Sequence, residues 1–143
     1  MVSFWDASAV VALFVVEPHT TTVLDLAEQD GDLVVWWGTR VECTSALARR
    51  SRSGPAELAV RGRQELQELA TDWVEIEPSF EVREAAERLL WVHPLRAADA
   101  LQLAAALRWC DGDPREAQFV SLDQRLRDSA RIERFTVLPD ELG

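Results

Sequence analysis

The sequence predicts an α/β fold built on a parallel sheet. Two observations carry this. Short apolar segments of strand length alternate with amphipathic segments of helical period along the whole chain, and no long linker, internal repeat or low-complexity stretch interrupts them. At 143 residues and 48% hydrophobic content, the chain fits one domain spanning residues 1–143. A domain of that size buries about two-thirds of the surface its unfolded form exposes.

The first strand is expected at 2–5, followed by an apolar helix at 8–16 and a second helix at 20–29. A strand at 33–36 leads to a helix at 39–52, where Thr39 and Glu42 have the spacing of a capping box. A helix at 56–70 precedes a strand at 73–76. Helices at 79–91 and 96–110 come next, with Pro94 marking the break between them. A strand at 118–122, a helix at 124–130 headed by the capping-box spacing of Ser121 and Gln124, and a strand at 135–138 complete the chain. Gly31, Gly54 and Gly112 punctuate turns. Strands joined by crossover helices pair in parallel. Ligands of such sheets bind beyond the carboxyl ends of the strands, where the strand order reverses.

The formal net charge is -10, and all 15 cations are Arg. An overall field of that sign repels phosphate, so a nucleic-acid substrate would need bound metal ions and a local Arg patch to hold it. A merely solvated acidic surface is the plain alternative. Cys43 and Cys110 are far apart in sequence and neither sits in a pair spacing that would make a zinc site or a disulfide framework, so a reducing cytoplasm is the expected location. The longest apolar run, 9–16, is too short to span a bilayer and follows Asp6 instead of a basic segment, so neither membrane insertion nor export is expected.

Four carboxylates stand apart from the surface charge. Asp6 and Asp123 each end a strand, in SFWDASAVVALF and FVSLDQRL, and so project from the edge where a ligand would bind. Helix N-capping would also account for either one. Asp99 heads an apolar helical stripe of Leu103, Ala106 and Cys110. A carboxylate so placed needs a metal, a cation or a proton, and Arg96 one turn earlier offers a simple ion pair. Glu42 borders the stripe of Cys43, Ala46 and Leu47, with the capping box as its alternative role. As a set, these acids would repel one another. Two carboxylates about 4 Å apart cost about 4 kcal/mol at an effective dielectric near 20, so a cluster predicts bound divalent cations. Ligands that are all oxygen select Mg²⁺ or Mn²⁺ over zinc, and such ions suit in-line hydrolysis of a phosphodiester.

These residues resemble a known family. DASA at Asp6, RVECTSAL at Glu42, LRAADALQLA at Asp99 and FVSLD at Asp123 are similar to the four acidic motifs of PIN domains, over nearly the whole chain. In length and spacing the sequence most resembles the stand-alone VapC-type toxins of bacterial toxin–antitoxin pairs. The resemblance implies a three-layer α/β/α sandwich with a central parallel five-stranded sheet. It also implies an endoribonuclease that uses one or two Mg²⁺ or Mn²⁺ ions on structured RNA such as tRNA or rRNA. Carried over by motif, Asp6, Glu42, Asp99 and Asp123 are the catalytic and metal-binding acids, and Ser8 and Ser121 support them by hydrogen bonds or cap helices locally. The resemblance further implies a homodimer and a basic antitoxin partner covering the acidic groove, which the net charge suits. One departure is the first motif, which has DAS where a second nearby acid is common.

Arg49 lies two turns beyond Glu42 on the same face, with Arg50, Arg52, Arg61 and Arg63 nearby. Arg49 and Arg96 are candidates for gripping substrate phosphates, against the reading that the cluster is an exposed patch balancing Glu57, Glu65 and Glu68. Trp36 and Trp37 suit core or dimer packing better than stacking on a base. His19 and His93 lack ligand spacing and read as structural or surface residues. The absence of Lys disfavours a response-regulator receiver and, with the missing Gly-rich and Asp-x-Asp signatures, nucleotide hydrolases and dehalogenase-type phosphatases. The rival of a different class is a non-catalytic PIN-like module whose acids bind a basic protein partner.

Overall fold

Alternate residues of a strand face opposite sides of a sheet, and here each side is covered by helices. The computed structural model describes residues 2–143. In chain order the elements are β1 (Ser3–Trp5), α1 (Ala7–Phe14), α2 (Thr20–Gln29), β2 (Val34–Trp36), α3 (Thr39–Arg52), α4 (Ala56–Asp72) and β3 (Val74–Ile76). Then come α5 (Phe80–Val92), α6 (Ala97–Trp109), a 3₁₀ turn at Pro114–Glu116, β4 (Gln118–Val120), α7 (Gln124–Ile132) and β5 (Thr136–Leu138). The strands pair in parallel in the order β3-β2-β1-β4-β5. The strand order therefore reverses between β1 and β4, the position where a site is expected.

Phe4 and Trp5 show why three layers form. Phe4, with Val34, Trp36 and Phe119, packs into a core completed by α5, α6 and α7. Trp5, with Val35 and Val120, packs into a second core against α1, α2, α3 and α4. Each sheet face thus has its own apolar cover. The helix α6 is almost wholly apolar from Ala100 to Leu107 and mostly buried over that span, which makes it the central helix of its layer. Between α3 and α4 the packing is close: a methyl group on Gly62 would collide with Leu47 Cδ1.

The expected elements are all present, with shifted ends. The strands are three residues each, shorter than expected, and α4 continues two residues past 70 to Asp72. Among the described residues no helix is long and apolar enough to cross a membrane. Trp36 joins the core as expected, whereas Trp37 is 52% exposed and touches Trp36 edge-on. His93 is buried and lies 2.7 Å from Glu133, which also pairs with Arg88 and so ties α5 to the end of α7. Arg127 is the buried cation that sequence reading overlooked. It donates to the carbonyls of Ser121 and Pro139 and pins the C-terminal segment to the end of β4.

Candidate active site

Asp6 immediately follows β1, where its backbone N–H donates to Val120 of β4 at 3.0 Å. Its side chain is the N-cap of α1 and is 2% exposed. Oδ1 accepts from Ser8 Oγ at 2.7 Å and from the Ala9 amide at 3.1 Å, and Oδ2 accepts from Ser121 Oγ at 2.9 Å. Even with these donors, burial lifts its carboxyl to about 7. Desolvation outweighs the hydrogen bonds, and the nearby charge of Asp123 adds to the effect. Capping and burial coexist here. The N-cap alternative explains one hydrogen bond of Asp6 and leaves its enclosure unexplained.

The two serines link the ends of β1 and β4. Ser8 Oγ accepts from the Leu122 amide at 2.9 Å while donating to Asp6, and Ser121 Oγ accepts from the Asp123 amide at 3.1 Å while donating to Asp6. Ser121 does not cap α7, contrary to the capping-box spacing. Asp123 is the N-cap instead, accepting from Leu126 N, because the strand turns two residues later than that spacing requires. Asp123 is otherwise exposed.

Glu42 and Asp99 come from helices in opposite layers. The Thr39–Glu42 capping box is also absent: Gly38 is the N-cap of α3, with no side-chain cap. Thr39 and Glu42 instead share the amide of Gln102 on α6, whose Nε2 donates to Thr39 Oγ1 at 2.9 Å and to Glu42 Oε2 at 2.7 Å. Burial raises the carboxyl of Glu42, the Gln102 hydrogen bond counters it, and the charge of Asp99 adds to it. Burial likewise raises Asp99, with the Asp123 charge adding and the positive charges of Arg96 and Arg125 countering. No ion pair within 4.0 Å joins Asp99 to Arg96 among the described residues, so the simple ion-pair account of Asp99 fails.

The four acids thus form one electrostatic neighbourhood, running from Asp6 to Asp123, Asp99 and Glu42 by successive repulsions. Two of them, Glu42 and Asp123, line a groove of about 640 Å³ together with Ser8 and Arg49, whereas Asp6 and Asp99 are not part of its lining. Arg49 donates to Ser45 one turn back and keeps its charge at the groove, whereas its neighbour Arg50 is spent on Glu17. Arg96 and Arg125 are exposed near Asp99. Cys43, buried below Glu42, has its thiol pushed up to about 12 by burial and by Glu42 and Asp6, so it offers no thiolate nucleophile.

Two observations test whether a cation fits. Burial pushes three of the acids toward protonation, and among the described residues none of the four has a salt-bridge partner within 4.0 Å, although the charges of Arg96 and Arg125 reach Asp99. At the same time, no three His, Cys, Asp or Glu side chains among the described residues form a ready-made cage. An open all-oxygen set matches a strongly hydrated ion such as Mg²⁺, which keeps several waters and uses one or two carboxylates.

Gln102, Arg125 and Arg127 were missed in the sequence, and Thr39 was assigned to a capping box instead of to Gln102. The signal for Gln102 was present: a polar residue inside ALQLAAAL is the informative exception on a buried helix.

No curated protein matches the sequence. Among solved structures, a Pyrobaculum aerophilum protein is similar with 20% identity over 96% of this chain and 90% of that one, at a TM-score of 0.65. FitAcB from Neisseria gonorrhoeae is similar with 14% identity over 98% of each chain, at a TM-score of 0.66. VapBC2 from Rickettsia felis, bound to a DNA fragment from its promoter, is similar with 11% identity over 96% of this chain and 97% of that one, at a TM-score of 0.65. At such identities the likeness concerns the fold. The family model of the PIN domain matches residues 4–132, which include all four acids. The chain belongs to the PIN domain family.

Proposed function

We propose that this protein is a Mg²⁺- or Mn²⁺-dependent endoribonuclease and the toxin of a toxin–antitoxin pair. The observation that carries the reading is the gathering of Asp6, Glu42, Asp99 and Asp123, from four separate segments, at the reversal of the sheet without a paired cation. Carboxylates brought together in partly buried surroundings repel one another, and a bound cation relieves that repulsion. Asp6, Glu42, Asp99 and Asp123 are the residues that would hold one or two ions. A divalent ion bound there supplies Lewis acidity toward a phosphodiester and makes hydroxide accessible at neutral pH.

The chain's own groups do the rest. Ser8 and Ser121 hold both oxygens of Asp6 in one orientation, so this carboxylate needs no rearrangement when it meets a cation. Arg49 at the groove and Arg96, whose charge reaches Asp99, would grip RNA phosphates near the acids, offsetting a net charge of -10 that otherwise repels the substrate. Structured RNA of the tRNA or rRNA kind is the substrate class. Similar structures include a toxin–antitoxin complex from Klebsiella pneumoniae and FitAB bound to DNA, which supports a cognate antitoxin as partner. A basic antitoxin segment would cover the acidic groove of a homodimer.

The test is incubation of purified protein with total RNA in Mn²⁺, in Mg²⁺ and in EDTA, with Asp99→Asn alongside. Discrete fragments that require both the metal and Asp99 support the reading. An intact RNA pool in every condition, with no thermal stabilisation by Mn²⁺, overturns it in favour of a non-catalytic module that binds a basic partner through the same acids.

A further inference from the structure

Gln102 is the one polar side chain in the buried run of α6 from Ala100 to Leu107, and it is 1% exposed. An apolar residue of its size would fill that space with no hydrogen bonds of its own to satisfy, and an apolar residue paired with an apolar one at position 39 would be nearly neutral there. Packing therefore does not account for an amide. Its contacts do. The Nε2 group reaches across the carboxyl edge of the sheet, from the layer of α6 to that of α3, and donates to Glu42 at 2.7 Å and to Thr39 at 2.9 Å. No other hydrogen bond reaches the Glu42 side chain among the described residues.

The orientation of the amide is informative. Its Oε1 is buried and has no partner among the described residues, an arrangement that proteins generally avoid. Turning the amide over would give no remedy, because it would set that oxygen against the Glu42 carboxylate, which can only accept when ionised. The donor is kept on the acid although the acceptor is left orphaned. Gln102 also lies one turn after Asp99 on the same helix, so one element both presents Asp99 and restrains Glu42.

We propose that Gln102 is a positioning residue for the metal site: its amide fixes one oxygen of Glu42, orients the other toward the cation and sets the spacing between Glu42 and Asp99. This rests on the metal-dependent reading of the acids given above. Hydrogen-bond partners that orient a metal ligand are worth about 10- to 100-fold in metal affinity.

The experiment titrates the purified full chain with Mn²⁺ alone and follows free Mn²⁺ by its electron paramagnetic resonance signal. The variants are Gln102→Met, Gln102→Leu, Glu42→Gln and the double variant Glu42→Gln/Gln102→Met. Wild type is expected to bind Mn²⁺, and Gln102→Met and Gln102→Leu to bind it about 10- to 100-fold more weakly, with a modest drop in metal-free Tm from the donors lost by Thr39 and Glu42 but a fold that is kept. The double variant is expected to bind no more weakly than Glu42→Gln, because the amide acts only through that carboxylate. Wild-type affinity in a folded Gln102→Met or Gln102→Leu protein overturns the inference and leaves the nuclease reading standing. So does an equal loss from Gln102→Met in the Glu42→Gln background, which would mark a purely structural role. Absence of Mn²⁺ binding by wild type overturns both.

Discussion

Asp6 sits at the end of β1, 2% exposed, with donors from Ser8, Ala9 and Ser121 on its two oxygens. Asp99 sits in the first turn of α6, half-buried, with no hydrogen bond among the described residues and the charges of Arg96, Arg125, Asp123 and Glu42 around it. Both belong to one acidic neighbourhood, yet the fold treats them differently. At a strand end the backbone turns sharply, and neighbouring amides and hydroxyls converge on the side chain. Along a helix the backbone groups are already bonded to one another and leave the side chain bare. The comparison teaches that Asp6 is a fixed anchor whose charge burdens the fold, whereas Asp99 is an uncommitted carboxylate whose loss the fold should tolerate.

Asp99→Asn gives the largest expected effect. Cleavage of RNA should fall by well over about 100-fold, since even the hydrogen-bond partners of metal ligands are worth about 10- to 100-fold. Metal-free Tm, followed by circular dichroism, should hold or rise because one repulsive charge is gone. An active Asp99→Asn enzyme breaks the site assignment. An unfolded one breaks the comparison, because Asp99 would then be holding the fold through its basic neighbours.

The pH dependence of stability separates the two acids next. Asp6 is raised from 3.8 to about 7 by burial. Below the lower value it is neutral in folded and unfolded chains alike. Between the two values the folded chain keeps a proton that the unfolded chain has lost, so metal-free stability declines as pH rises. The decline levels off above the folded value and amounts to as much as about 4 kcal/mol. Glu42 and Asp99, also raised, act in the same direction. Urea unfolding in EDTA at about pH 5 and about pH 8 measures the difference. Asp6→Asn should abolish most of it, and Asp99→Asn should leave most of it in place. Saturating Mn²⁺ should restore stability at the higher pH, because binding to the folded state alone adds to it.

The same contrast explains what could be read from the sequence. Periodicity placed every strand and helix because each sheet face buries its own set of side chains, Phe4 on one side and Trp5 on the other. The four acids were legible because each interrupts an apolar pattern at a strand end or at the head of a helical stripe. The capping boxes misled because spacing alone cannot tell whether Thr39 and Ser121 serve their own helix or a distant partner, and here those partners are Gln102 and Asp6. Arg127 could not be singled out in the sequence because its acceptors, the carbonyls of Ser121 and Pro139, are backbone groups without any sequence signature.

Ser121→Ala probes the anchor more gently. It removes a donor from Asp6 and an acceptor from the Asp123 amide, at a cost of about 1–3 kcal/mol for the buried groups left unpaired. Losing a hydrogen bond that favours the ionised form should also raise Asp6 further, so the decline of metal-free stability with pH should extend to a higher pH than in wild type. A Ser121→Ala protein with unchanged stability at all pH values would show that the donors around Asp6 are incidental.

The smallest effect belongs to the cations beside Asp99. Arg96 and Arg125 are exposed, and their charges reach Asp99 without an ion pair. Exposed charges of this kind contribute at most about 1 kcal/mol to stability, so Arg96→Gln and Arg125→Gln should leave Tm within error. Their expected role is toward phosphate. Each substitution should weaken RNA binding by the Asp99→Asn protein a few-fold and lower the slope of log affinity against log salt by about 1, uniformly across RNA sequences. The Ser121→Ala variant, acting on the buried acid, should not move that slope. If the Arg variants change Tm and leave the salt slope untouched, these cations belong to the fold, and Asp99 is then less bare than its geometry indicates.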